Sequence, residues 1–131
     1  MDLLSELKNW FASRKPRPLT EWFHVEFDES QVIMRAAPPG KQSWDQSFPW
    51  SSVTRVCFKD EGALASDGIY VFTSLRPESF VVPTEADGGD AFFQALVARG
   101  LFPGDLAGKA IASTDGGLYC WPPETPRDAG A

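Results

Sequence analysis

The residues whose types could do covalent or metal chemistry here are His24, Cys57, Cys120 and the carboxylates in and just after the run PTEADGG at 83–89. His24 is the one histidine and could in principle activate Cys57 as a nucleophile. Cys57, however, sits in the middle of the apolar run VTRVCF, where a thiol is buried and inert. The two cysteines show neither a CxxC nor a Cys/His spacing. Pairing between them stays open, but MDLLSELKNWFA has no basic n-region or cleavage site, so the expectation is reduced thiols in a cytoplasmic protein. In PTEADGG and the residue that follows it, Glu85, Asp87 and Asp90 offer hard oxygen ligands of the kind calcium or magnesium takes. Their spacing is not that of a calcium-binding loop. They are read instead as the corner where a strand hands over to a helix, with Asp87 and Asp90 capping its N–H groups. Two glycines at a helix start can cradle phosphate, yet three carboxylates there repel it. No catalytic group, metal site or cofactor is expected, and the chain is read as a non-enzyme.

Positioning those residues is the work of a regular succession of elements. Leu3, Leu4, Leu7, Trp10 and Phe11 recur at helical spacing, predicting an amphipathic helix over 2–14 that Pro16 and Pro18 stop. EWFHVEF alternates with a period of two and predicts a strand, as does QVIMRAA after the turn at Asp28–Ser30. PPG at 38–40 marks a type II turn with Gly40 at its third position, and KQSWDQSF returns. SVTRVCF and GIYVFTS predict two more strands, RPES a turn with Pro77 second, and FVVP the return. A helix follows, with Phe92, Phe93, Leu96 and Val97 on its apolar stripe and Gly100 as a left-handed cap. DLAGKAIA predicts a second short helix, LYCW an edge strand or tucked aromatic segment, and residues 122–131 a disordered tail. Helix, about six antiparallel strands and a closing helix make an α+β domain over 1–121, with a strongly bent sheet or partial barrel.

WSSVTRV from Trp50, DGIYVF from Asp67 and FVVPTEADGGDAFFQAL from Phe80 follow one another in an order that resembles bacterial pleckstrin-homology-like (PH-like) domains and small bacterial proteins built that way. The resemblance spans about 22–102 and implies the fold, not the function.

Charge narrows the partners. The 131 residues carry a net charge of -6. Lys8, Arg14, Lys15 and Arg17 put a basic excess in residues 1–17, so the rest is more acidic still. An acidic body repels nucleic acid and suits a basic protein. Its profile is similar to that of immunity proteins that neutralise basic nuclease toxins. The expected contact face is Asp60, Glu61, Asp67, Glu78, Glu85 and Asp87, placed in neighbouring loops at one end, with Trp44 and Trp121 as aromatic anchors. Trp22 and Trp50 are expected to pack in the core or its turns. The alternative is a PH-like regulatory domain that touches membrane or lipid through helix 2–14 and a basic concavity of Arg35, Lys41, Arg55 and Lys59. A small structural or interaction protein is the remaining reading.

Overall fold

Pro49 and the short 3₁₀ turn Trp50–Ser52 divide the strands into two antiparallel sheets. The computed structural model describes residues 18–60, 67–113 and 116–123. The expected helix over 2–14 and most of the expected tail lie outside them.

The chain enters through a single helical turn, α1 (Leu19–Trp22), so Glu21 and Trp22 belong to a helix and not to the expected strand. Three strands then form a meander: β1 (Phe23–Phe27), β2 (Gln31–Ala36) and β3 (Trp44–Pro49). The turn between β2 and β3 is as read from PPG: Lys41 N donates to Pro38 O, and Gly40 has φ +73°. Four strands make the second sheet, β4 (Val53–Lys59), β5 (Gly68–Thr73), β6 (Arg76–Pro83) and β7 (Leu118–Trp121), in the order β6-β5-β4-β7. Helix α2 (Gly89–Ala98) and helix α3 (Gly104–Ala112) lie between β6 and β7 in the chain. The fold is therefore α+β, with seven strands in two sheets among the described residues.

One turn lies elsewhere than expected. The β5–β6 hairpin closes at Ser74–Leu75, with Thr73 opposite Arg76, so RPES belongs to β6 itself. Pro77 is tolerated there because β6 is an edge strand, where a missing N–H breaks no ladder.

Phenylalanines join the sheets. Phe48 of β3 lies 4.8 Å, ring to ring, from Phe80 of β6. Phe92 of α2 stacks on Trp50 at 5.8 Å, and Phe93 meets Phe58 at 5.3 Å and Phe102 at 5.6 Å. Phe48, Phe58, Phe92 and Phe102 are almost fully buried. Each contributes roughly 1.5–3 kcal/mol by leaving water, and each ring pair about 0.5–1.5 kcal/mol more. Trp50 is a core residue as expected, its Nε1–H donating to Asp28 O at 2.8 Å. Helix α2 ends as its sequence predicts: Gly100 has φ +75°, its N–H donates to Val97 O, and Leu101 N–H reaches back to Leu96 O.

The thiol expectation is overturned. β7 pairs with β4 so that Cys120 stands directly opposite Cys57, Cα to Cα 4.0 Å, and the two form a disulfide. The residues are 63 apart in sequence, and their adjacency comes from β7 returning to the sheet, which spacing alone does not encode.

Candidate functional site: an acidic corner

PTEADGG is the corner that fastens the second sheet to the first. Val25 N–H donates to Asp87 O at 2.8 Å, and Asp87 N–H donates to Phe23 O at 2.9 Å. Asp87 thus forms a parallel bridge with His24 on the outer edge of β1. Gly88 and Gly89 make that approach possible. Gly88 has φ +83°, and a side chain there would run into the Val25 carbonyl. A side chain on Gly89 would meet the Thr84 and Pro83 carbonyls.

The carboxylates do not cap the helix as expected. Gly88 is the N-cap of α2, with no side-chain hydrogen bond. Asp87 turns to His24 instead, Oδ2 to Nδ1 2.8 Å, on a largely exposed surface. Asp90 sits in the first turn of α2, where a negative charge suits the helix dipole. The close approach of Gly88 to Val25 and the pairing of Asp87 with His24 are invisible to local pattern reading, because both partners lie 63 residues away in the chain.

A groove of about 700 Å³ opens beside this corner, between residues 18–20 at the chain's entry and residues 84–88 with Asp90 and Ala91. Glu85, Asp87 and Asp90 are exposed on its rim. A smaller hollow of about 150 Å³, lined by Asp67, Thr84, Asp90, Phe93, Phe58 and Ile111, adjoins it through Thr84 and Asp90. Asp67 O accepts the Thr84 N–H at 2.9 Å, which brings the start of β5 to the same corner. Asp67, Glu85, Asp87 and Asp90 therefore share one end of the molecule. Asp90, read from its helix position as a cap alone, stands on the same rim.

The other expected face residues do not join them. Asp60 is 3% exposed, and its Oδ2 accepts from Gly116 N–H at 3.1 Å and Ser113 Oγ at 3.4 Å, so it anchors the approach to β7 and presents nothing to a partner. Glu78 is exposed, but on β6 five residues from Pro83, about 17 Å along the strand. Glu61 lies outside the described residues. Trp44 is half-buried with its ring edge against Phe23 at 5.5 Å, a cover for the core instead of an exposed anchor. Trp121 is 41% exposed, beside Val53–Arg55 and Gly100–Leu101, away from the acidic corner.

The basic residues are equally dispersed. Arg35 pairs with Glu26 on the first sheet at 3.3 Å, Lys41 closes the 38–41 turn, and Arg55 and Lys59 belong to β4. Arg99 lies over the Trp50 ring at 4.1 Å and donates to Asp28 O, tying α2 to the β1–β2 turn.

No protein-family model, curated protein or solved structure matches the chain. Among the described residues no group of three or more His, Cys, Asp or Glu is disposed to hold a metal ion, and no helix is long and apolar enough to cross a membrane.

Proposed function

We propose that this chain is a non-enzymatic module that docks a basic protein partner on the end formed by Asp67, Glu85, Asp87 and Asp90. The observation that carries this reading is the groove beside the 83–89 corner, whose rim bears three exposed carboxylates on a backbone that two glycines allow to close against β1 and a β-bridge fastens there. Among the described residues neither Glu85 nor Asp90 has an ion-pair partner, so both keep their charge available for Lys or Arg. Negative potential concentrated on a fixed concave surface speeds encounter with a cationic surface and selects against anionic ones. The PH-like resemblance and the immunity-protein profile are compatible with such a role. The partner face is smaller than the sequence suggested, since Asp60, Glu78 and Trp44 fall outside it. The module works where the Cys57–Cys120 bond persists, which favours an oxidising compartment over the cytoplasm. Scattered over both sheets and the 38–41 turn, Arg35, Lys41, Arg55 and Lys59 lend no comparable support to a lipid-binding role.

The test is capture on the immobilised full chain, followed by titration of the captured protein at rising salt. The expected partner is basic, and its affinity falls steeply between about 50 and 200 mM salt because surface charge is screened. Glu85→Lys combined with Asp90→Lys weakens binding about tenfold or more, about 1.4 kcal/mol, while Glu78→Lys leaves it within about twofold. A salt-insensitive complex, or equal loss from Glu78→Lys, would sink the reading.

A further inference from the structure

The smaller hollow at the acidic end differs from the groove in what lines it. Phe58 of β4 and Phe93 of α2, both buried and 5.3 Å apart ring to ring, give it apolar walls. Ile111 of α3 adds a third apolar side chain and is 64% exposed. Asp67, just before β5, and Asp90, in the first turn of α2, bring carboxylates to the same hollow. Asp90 and Phe93 stand three residues apart on α2, so acid and ring share one helix face about 5–6 Å apart. The Thr84 N–H on Asp67 O fixes the remaining side.

We propose that this hollow receives one lysine side chain of the basic partner. The methylene stem lies against Phe58, Phe93 and Ile111, and the ammonium sits at the Asp67 and Asp90 side. Three features choose this occupant. A volume of about 150 Å³ suits a single side chain, well below the roughly 300–1,000 Å³ of sites that hold whole small molecules. Apolar walls beside carboxylates match a side chain that buries a hydrocarbon stem and carries a cation at its tip. An acidic rim alone would draw any cation, whereas these walls select one with a stem. The two carboxylates come from different elements, which suits the three diverging N–H groups of an ammonium. An arginine fork is matched better by one carboxylate that takes both its bonds. Among the described residues no lysine or arginine lines the hollow or the groove. Because the two adjoin through Thr84 and Asp90, a chain lying in the groove can turn one lysine into the hollow. This inference rests on the docking of a basic partner at this end and names the residue type that anchors it.

The test is a titration of the full chain with N-acetyl-lysine methylamide, followed by carbon–proton NMR of the Ile111 and Thr84 methyls and the Phe93 ring. The expected result is saturable shifts centred on these signals, with a Kd on the order of 1–10 mM. The norleucine analogue has the stem without the charge, and methylammonium has the charge without the stem. Each is expected to bind at least about fivefold more weakly. Asp90→Asn and Ile111→Ser, both at exposed positions, each weaken the lysine probe about two- to fivefold while the signals of β1–β3 stay in place. The proposal is overturned by no saturable shift, by shifts centred elsewhere, or by variants that bind the probe as the parent does. Equal binding of either partial probe, or tighter binding of the arginine analogue, also overturns it. Failure of the docking reading looks different: the immobilised chain captures no basic protein, while the lysine probe still shifts Ile111 and Phe93.

Discussion

Asp28 shows how much a single side chain can fix. Its Oδ1 accepts from Gln31 N–H at 2.9 Å and Ser30 N–H at 2.7 Å, and its carbonyl receives both the Trp50 indole and the Arg99 guanidinium. The backbone hydrogen bonds from Gln31 and Ser30 hold its carboxyl below the usual aspartate range. A carboxyl whose folded value is depressed adds stability above its unfolded value of about 3.9, and that stability is lost as pH falls through the folded value. Asp28→Ala is accordingly expected to be less stable than the parent at pH 7, with the gap narrowing as pH falls through the folded value; urea melts at pH 7 and in acid check it. The Asp28–Ser30 turn was readable from sequence because an aspartate bonds its own near neighbours. Asp60 was not, because its partners Ser113 and Gly116 lie more than 50 residues on.

At the scale of elements, most strands and both later helices announced themselves through period and punctuation. Misreadings cluster where tertiary context decides. Pro77 looked like a turn residue and proved an edge-strand residue, and Glu21–Trp22 looked like strand and proved a helical turn. The 83–89 corner is the sharpest case. Its role as a strand-to-helix corner was legible, whereas the reason for two consecutive glycines was not, since it lies in the carbonyls of Val25 and Thr84. Gly88→Ala combines a left-handed backbone, worth about 1–2 kcal/mol against any other residue, with a collision into β1. The expected loss is at least about 2 kcal/mol in chemical denaturation, against about 0.5 kcal/mol or less for alanine at exposed Gly108, where nothing lies in the way.

For the molecule as a whole, the succession of elements indicated an α+β fold and composition the acidic character, but neither showed where the charge gathers. Glu78 stands well along β6 from the corner, and Asp60 is buried against Ser113 and Gly116, leaving one acidic end smaller than a count of carboxylates suggests. The cysteines had the opposite fate: unremarkable in sequence, they become a bond between the first strand of the second sheet and its last. With 63 residues between its ends, that bond restricts the unfolded chain by about 4 kcal/mol in the chain-entropy account. Replacing both cysteines by alanine should lower unfolding free energy by about 2–5 kcal/mol, measured by denaturant melts without reductant.

The same bond sets what a protease can accomplish. Everything from β4 to β7, the acidic corner included, lies inside one covalent ring. A single cut in any loop between Cys57 and Cys120 severs the backbone yet releases no fragment, so a nicked molecule keeps its parent mass, increased only by one water, until the sulfurs are reduced.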